Sequence, residues 1–274
     1  MHAYLLIVFI AIANAQATSH RSLRSVSAGD YKSMFTDQSR GSGGCTKLGA
    51  RPTTSTSFKS FGDATVSIET DGMDCRSVST VNTCSFDLGQ NGVTKITFDF
   101  EVSAKCYTRA VSHFIDDASV INWFAFWLDN LTWKVDREVD LIESGQGASN
   151  DQYPDKQGGE EGLHINFAGS GISGDKGYNQ AWYDNLLTGK SSTSFKSSEN
   201  GVITVTSDLF DEAGVMVRSK NGQATAGLKS SEGYFFVLDT AVGGESGCKL
   251  TIKNIEMYGT VPDNKCQGFK IIPN

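Results

Sequence analysis

Three carboxylates lie inside an otherwise apolar run, and they restrict how this part of the chain can fold. The run is Arg137-Glu138-Val139-Asp140-Leu141-Ile142-Glu143. An ionised carboxylate is costly to desolvate, whereas Val139, Leu141 and Ile142 favour burial. A β-strand meets both demands, because successive side chains point to opposite faces of a sheet. The run therefore predicts a strand that buries its apolar residues and presents acids to a cleft.

Strict alternation along this strand does not place all three acids on one face. Strict alternation puts Glu138, Asp140 and Ile142 on one face. Glu143 then falls on the other face, unless one extra residue bulges out and resets the phase. We therefore predict a β-bulge at Leu141 or Ile142. With the bulge, one face carries a set of acids suited to a nucleophile, a helper acid and a general acid/base.

The spacing of the outer glutamates also predicts the shape of the strand. A rise of about 3.3 Å per residue puts Glu138 and Glu143 about 13 Å apart at Cα, while retaining glycosidases hold their carboxyls about 5 to 5.5 Å apart. We therefore expect a curved strand whose side chains converge. A solvated, charged edge strand is the alternative that the bare spacing leaves open.

The flanks of the run carry further motifs. Upstream, residues 122–128 read Asn-Trp-Phe-Ala-Phe-Trp-Leu, and a short loop leads to Trp133. Downstream, Leu163-His164 begins an apolar stretch, and residues 234–244 read Tyr-Phe-Phe-Val-Leu-Asp-Thr-Ala-Val-Gly-Gly. With Glu-x-Asp-x-x-Glu, these motifs resemble glycoside hydrolase family 16, the laminarinase and lichenase-like enzymes. The resemblance spans about Val93 to Tyr258.

The resemblance implies a fold and a set of catalytic roles. The fold is a β-jelly roll, a sandwich of two antiparallel sheets whose concave sheet holds the cleft. Glu138 is then the nucleophile that forms a glycosyl-enzyme intermediate. Glu143 protonates the leaving oxygen and later acts as base toward water. Asp140 hydrogen-bonds to the nucleophile, and its negative charge helps to keep the acid protonated.

Three further residues are candidates for substrate binding. Trp127 and Trp133 would line the cleft, since an aromatic face offers an apolar platform to a pyranose ring. Core packing is the alternative for each tryptophan. His164, as a neutral imidazole, could orient Asp140 or a sugar hydroxyl, and a structural role is its alternative. No motif assigns a cleft role to Trp123 or Trp182.

The wider pattern of the chain is all-β. Ile96, Phe98, Phe100 and Val102 alternate with polar residues, as in a half-buried strand. No stretch shows a long helical period, and many short strands without helices favour a sandwich or barrel. Asn-Gly pairs that suit tight hairpins lie at 91–92, 200–201 and 221–222. Further strands are expected near 64–68, 163–167, 202–209, 215–219, 234–238 and 250–258.

The N-terminus and composition define the expected domains. Residues 1–17 read as a secretory signal peptide, with an apolar core at 4–13 and a small-x-small cleavage site. We therefore expect a secreted, extracellular protein. Residues 18–44 are rich in Ser, Arg and Gly and are predicted to form a flexible leader. Residues 45–274 are expected to fold as a single domain.

An even set of six cysteines in a secreted chain favours disulfides. Fifteen pairings are open; we expect Cys248 to pair with Cys266, and the four cysteines nearer the N-terminus to pair among themselves. Asn130-Leu131-Thr132 is the N-glycosylation sequon of the chain, and its glycan is expected near one rim of the cleft.

The chemistry of the chain also limits its partners. The cysteines and histidines lack the spacing of a zinc site, and the acidic loop 144–162 is expected to be solvated rather than to bind calcium. A net charge of -7 argues against nucleic acid and anionic polymers. We expect a monomer without metal or cofactor, not bound to a membrane, whose partner is a neutral polysaccharide.

Two functions remain open from the sequence. The first is a secreted retaining endo-β-glycosidase or transglycosylase that acts on a cell-wall or storage β-glucan with β-1,3 or mixed β-1,3/1,4 linkages. The second is a non-catalytic carbohydrate-binding or host-interaction protein on the same fold. Retention of all three acids favours the first. Arg137, where many family members carry glycine, and the absence of tryptophan in 202–217 favour the second.

Overall fold

Two antiparallel β-sheets packed face to face form the described part of the protein, and the predicted jelly-roll sandwich is confirmed. The computed structural model describes residues 29–37, 59–69, 76–104, 109–111, 119–121, 123–130, 138–144, 163–167, 179–183, 186–221, 228–241, 247–262 and 265–274. The predicted signal peptide and Trp133 lie outside these residues. Within them, no helix is long and apolar enough to cross a membrane.

The described elements are one short helix and seventeen strands. In chain order they are α1 (Tyr31–Met34), β1 (Thr36–Asp37), β2 (Lys59–Gly62), β3 (Thr65–Glu69), β4 (Arg76–Ser79), β5 (Val93–Val102), β6 (Arg109–Val111), β7 (Ser119–Ile121), β8 (Trp123–Asp129), β9 (Val139–Ser144), β10 (Leu163–Phe167), β11 (Asn179–Tyr183), β12 (Thr188–Ser197), β13 (Ile203–Phe210), β14 (Met216–Asn221), β15 (Phe235–Ala241), β16 (Lys249–Gly259) and β17 (Lys270–Ile272).

The strand order explains how distant segments meet. The first sheet, called here the site sheet, has the order β1-β4-β15-β8-β9-β10-β11. The second, the back sheet, has the order β14-β13-β12-β5-β16-β3-β2, with β17 parallel to β16. Strands β6 and β7 form a separate pair. The strand with the carboxylates, β9, therefore lies between β8 and β10, inside the site sheet rather than at its edge.

Aromatic side chains fill the space between the two sheets. Phe98 of the back sheet meets Phe126 of the site sheet edge to face, with ring centroids 4.9 Å apart. Phe126 in turn stacks on Phe236 of β15 at 5.3 Å. All three side chains are fully buried. These contacts fix the positions of β15 and of β8, which pairs with the acid-bearing strand, because edge-to-face and offset pairs add to the stability gained from burial alone.

The predicted Asn-Gly turns have different outcomes. Asn200-Gly201 closes the hairpin between β12 and β13, and Gly201 adopts φ +73°, which disfavours residues with a Cβ. The hairpin prediction is confirmed there. Asn91-Gly92 forms a turn, but Leu88 and Val93 on either side of it are bridged in parallel, so the predicted hairpin is wrong. Residue 222, in the third pair, lies outside the described residues.

The predicted flexible leader is wrong for residues 29–37. Helix α1 lies in this segment, and the side chains of Tyr31, Met34 and Phe35 are buried in the core between the sheets. The Tyr31 hydroxyl accepts a hydrogen bond from the backbone N–H of Ile255 in β16 at 2.6 Å. Apolar residues in a Ser-rich stretch therefore tie the N-terminal segment to the back sheet.

The disulfide pairing also differs from the expectation. Cys84 is bonded to Cys266, which overturns both the Cys248–Cys266 pair and the pairing of the N-terminal cysteines among themselves. Cys248 is disulfide-bonded too, and none of the described cysteines is free. The bridge joins residues 182 positions apart, so it connects the segment before β5 to the C-terminal tail.

Replacing both Cys84 and Cys266 by serine should lower the free energy of unfolding by roughly 2 to 5 kcal/mol, because the bridge restricts a long loop of the unfolded chain. Urea unfolding of the double variant and the parent protein measures this difference. A non-reducing peptide map of the parent protein is the control and should show Cys84 joined to Cys266. Equal unfolding midpoints would contradict a stabilising role.

Candidate active site

The predicted β-bulge lies in β9, at the predicted residues. Toward β8, Phe126 pairs with Ile142 and Trp127 pairs with Asp140, two residues apart on β9 but one apart on β8. Leu141 is therefore the extra residue on this side. The prediction of a bulge at Leu141 or Ile142 is confirmed, and the reason is burial, since both side chains are fully buried in the core.

The bulge is also present toward β10. There Asp140 pairs with Asn166 and Glu143 pairs with His164, so Ile165 alone opposes the two bulged residues. His164 was predicted as a possible partner of Asp140 or of a sugar hydroxyl. The register instead makes Asn166 the direct neighbour of Asp140, and His164 the neighbour of Glu143.

The bulge assigns the acids to one face of the site sheet. Val139 is fully buried in the core between the sheets, as are both bulged residues, and Asp140 lies on the opposite face. Position 143 pairs with Ala125, which packs with Trp127 in a separate cluster on that opposite face. We call this outer face of the site sheet, with Glu138, Asp140 and position 143, the acid face. The three predicted catalytic positions are therefore brought together.

Exposure differs between the two acids whose side chains are described. Asp140 is only 3% exposed, while Glu138, directly before β9, is half-buried. A carboxylate as buried as Asp140 depends on neighbouring dipoles rather than on water. Glu138 is therefore the more accessible of these two acids.

Trp127 combines the two environments that the sequence left open for it. Its register with Asp140 places it on the acid face. Its side chain is only 4% exposed and packs with Ala125, Phe235 and Val237. The indole Nε1–H is buried and finds no acceptor among the described residues. A sugar platform at Trp127 stays a prediction, and the contacts show packing in an apolar cluster on the acid face.

Two buried carboxyls on the acid face were missed by the sequence analysis. Asp129 pairs with Phe235, and Asp239 pairs with Ala125, so both share the face of the predicted acids. Asp129 is 6% exposed and Asp239 is fully buried. The signal was alternation: Asp129 lies two residues after Trp127, and Asp239 follows Val237 by two.

Asp129 has an environment that alters its ionisation. Its Oδ1 accepts a hydrogen bond from the backbone N–H of Asn130 at 2.6 Å. Burial raises the pKa of Asp129 to about 7, and the bond from Asn130 opposes that rise only in part. A carboxyl that titrates near neutral pH beside other acids is a common feature of catalytic sites.

The strand register continues the acid face across β10 and β11. His164 on β10 pairs with Glu143 on one side and with Trp182 of β11 on the other. Asn166 on β10 likewise pairs with Asp140 and with Gln180 of β11. Indole, imidazole and amide side chains are the types that contact sugar rings and hydroxyls. No sequence motif assigns Trp182 to the site, because its place depends on the pairing of strands.

The predicted glycan at Asn130 does not fit the structure. Asn130 is only 2% exposed, and its side-chain Nδ2 donates a hydrogen bond to Oε2 of Glu232 at 3.1 Å. Attachment of a sugar to Nδ2 would break this bond and require space that packed neighbours occupy. The expectation of a glycan near the cleft rim is therefore corrected.

Other parts of the described surface lack comparable chemistry. No group of three or more His, Cys, Asp or Glu side chains among the described residues could hold a metal ion. A surface groove at the turn between β13 and β14 contains Asp211 and Glu212. Asp211 accepts a bond from the Val215 N–H within the turn, and Glu212 accepts one from the hydroxyl of Thr188 at the start of β12, so both acids have structural partners.

The chain is thus a two-sheet β-sandwich with a row of acids on the outer face of one sheet. No protein-family model matches it, and no curated protein matches its sequence. Among solved structures it is similar to alginate lyase AlyC3, with a TM-score of 0.44 and 9% identity over 72% of this chain and 76% of that one. Peanut lectin gives 0.42 and 8% over 82% and 98%. A functionally unknown protein from Saccharomyces cerevisiae gives 0.41 and 12% over 84% and 97%.

Replacing Asp129 by asparagine should remove a pH dependence of stability. The folded protein keeps the Asp129 proton up to about pH 7, whereas the unfolded chain releases it near 3.8. The free energy of unfolding therefore falls as pH rises between these values, by up to about 4 kcal/mol. The variant should match the parent near pH 4 and be more stable at pH 7.5.

Urea unfolding at several pH values between 4 and 8 measures this effect. The matched control is Asp208→Asn, which removes an acid that accepts a bond from Ser219 on the back sheet. This control should keep the parent's slope over the same range. Parallel curves for Asp129→Asn and the parent would show that Asp129 does not hold a proton in the folded state.

Asn130 should carry no glycan when the protein is secreted from a eukaryotic host, because its amide is buried and bonded. The intact mass should equal that of the unmodified mature chain, and treatment with an N-glycosidase should leave it unchanged. An Asn130→Gln variant is the control for background. A mass shift on N-glycosidase treatment that is absent from this variant would contradict the described environment of Asn130.

Proposed function

We propose that the protein is a secreted retaining endo-β-glycosidase that acts on a β-glucan, with β-1,3 or mixed β-1,3/1,4 linkages as the favoured substrates. The observation that carries the proposal is the bulge at Leu141, which puts Glu138, Asp140 and position 143 on one face of the site sheet. An unbulged strand would turn Glu143 toward the core.

The proposed reaction has two displacements. In the first, a carboxylate oxygen of Glu138 bonds to the anomeric carbon while the glycosidic C–O bond breaks, and Glu143 gives its proton to the leaving oxygen. In the second, Glu143 takes a proton from water as the water oxygen attacks the anomeric carbon. This step releases Glu138 and restores both groups. Transfer to a sugar hydroxyl instead of water gives transglycosylation.

The bulge supports this chemistry in a second way. The two carboxyls of a retaining pair must be about 5 to 5.5 Å apart, which a flat strand does not allow between positions 138 and 143. A bulge bends its strand and increases the local twist. Asp140, between them, adds a buried negative charge that favours the protonated form of the acid.

The charge of the acid face favours a neutral substrate. Besides the three predicted acids it carries Asp239, which is fully buried. The whole chain has a net charge of -7. A uronic acid polymer would bring further negative charge to these groups, whereas a glucan brings none. The residue types in register on β10 and β11 also suit sugar hydroxyls and ring faces.

The second candidate function is a non-catalytic carbohydrate-binding protein on the same fold. The observation that favours it is the low exposure of Asp140 and Trp127, at 3% and 4%. A face that is closed at these two residues offers less room for a substrate that must be distorted during cleavage. Binding without turnover would then use the more accessible Glu138 and the residues of β10 and β11 that are in register with the acids.

Glu138→Gln and Glu143→Gln should each reduce polysaccharide cleavage at least about a thousandfold, because each amide keeps the shape but cannot act as nucleophile or proton donor. Reducing-sugar release from laminarin, mixed-linkage glucan, xyloglucan, agarose and cellulose measures the loss and identifies the substrate. Glu69→Gln, at an exposed position of the back sheet, is the matched control and should keep full activity.

The stereochemistry of the product gives an independent test. Proton NMR during early turnover should show the β-anomer at the new reducing end, as a double displacement requires. Inversion, or near-normal activity of Glu138→Gln, would overturn the assignment of the nucleophile. Binding without release from any polymer would establish the non-catalytic alternative.

A further inference from the structure

A buried carboxyl at the end of β8 has no role in the proposed reaction. Asp129 lies on the acid face, opposite Phe235, and is 6% exposed. Its Oδ1 accepts the backbone N–H of Asn130. Among the described residues this is its one hydrogen bond. The other carboxyl oxygen, Oδ2, is therefore available to a neighbour on the acid face.

The strand register places Asp129 next to the predicted nucleophile. The pairing of β8 with β9 includes Leu128 opposite Val139. Asp129 follows Leu128, and Glu138 precedes Val139, so antiparallel strands bring the two acid positions side by side. Directly opposite residues have Cβ atoms about 4.5 to 5.5 Å apart, which is within reach of a bond between carboxyl groups.

We propose that Asp129 is a positioning residue for Glu138: as a neutral carboxylic acid it donates a hydrogen bond from Oδ2 to the Glu138 carboxylate and holds that carboxylate toward the substrate. The inference rests on the proposed function, in which Glu138 is the ionised nucleophile. A bond from a neutral acid to a carboxylate is charge-assisted and shorter than an ordinary hydrogen bond.

Burial favours the neutral form of Asp129. The register places Glu138, directly before β9, at the adjoining position, and pairs Asp129 with the uncharged Phe235 of β15. The segment before β15 adds Glu232, which accepts a bond from the Asn130 side chain. Burial raises its pKa to about 7, so the donor is present below neutral pH and lost above it.

Two substitutions at this position separate a donor from a merely structural residue. The amide of Asp129→Asn donates at every pH, whereas Asp129→Ala has no donor. On the polymer cleaved by the parent protein, activity should fall above about pH 7, and Asp129→Asn should move this alkaline limb up by at least about one pH unit. Asp129→Ala should lower kcat about tenfold or more with little change in KM.

Asp208→Asn on the back sheet is the control for these pH profiles and should match the parent. An alkaline limb that is the same in Asp129→Asn and the parent would overturn the inference. So would an Asp129→Ala variant with unchanged kcat.

A carboxyl titration decides the inference without any turnover. In the full chain labelled with ¹³C at glutamate carboxyls, the Glu138 signal is identified by its loss in Glu138→Gln. It should shift near pH 7 in the parent protein and not in Asp129→Asn. A Glu138 signal that is insensitive near pH 7 would overturn the inference. If no polymer is cleaved, the proposed function fails, and this titration still shows whether Asp129 contacts Glu138.

Discussion

Burial of two consecutive side chains in β9 is the constraint on which the site depends. Leu141 and Ile142 are both fully buried between the sheets, although a regular strand would send them to opposite faces. The bulge resolves this conflict by giving both residues to the core, opposite the one residue Ile165. Position 143 thereby returns to the face of Asp140. The same apolar packing that stabilises the sandwich therefore also aligns the acids.

The acid face concentrates carboxyl groups where their ionisation is energetically costly. Asp129, Asp140 and Asp239 lie on three neighbouring strands and are each at most 6% exposed. A fold selected for stability alone would place apolar residues at these positions, as it does at Phe235 and Val237. Buried acids in one patch are the usual mark of a site whose function needs shifted ionisation. The aromatic core between the sheets stabilises the fold and offsets the cost of burying these acids.

Local patterns in the sequence predicted much of this architecture. Strands β3, β10, β13, β15 and β16 match the predicted ranges to within a few residues, because their apolar residues alternate or run together. The bulge followed from three acids and three apolar residues in one run. The site beyond β9 did not follow, because Asp129 and Asp239 join it only through the pairing of β8 with β9 and β15. Such pairing is a property of strands distant in sequence.

Strand β12 shows why a central strand can escape prediction. Its sequence, Thr188–Ser197, contains Phe195 as its one large apolar residue, yet it lies between β5 and β13 in the back sheet. Ser191 and Thr193 are fully buried there. The Thr193 hydroxyl shares a hydrogen bond of 2.8 Å with that of Ser207 on β13, so small polar residues take core positions without hydrophobic alternation.

Residues 29–35 and the C-terminal segment contact each other and pack on the same sandwich, through contacts between residues distant in sequence. The N–H of Gly29 donates to the carbonyl of Gly268, and the Tyr31 ring packs on Phe269 with centroids 5.2 Å apart. Phe269 also meets Phe236, whose strand borders β8 in the site sheet. With the Cys84–Cys266 bridge, residues 29–35 and the C-terminal segment pack against the inner side of the sheet that carries the acids. The polar composition of residues 18–44 suggested a flexible leader, but Tyr31 and Phe35 are buried in the core, and burial of one aromatic side chain is worth a few kcal/mol.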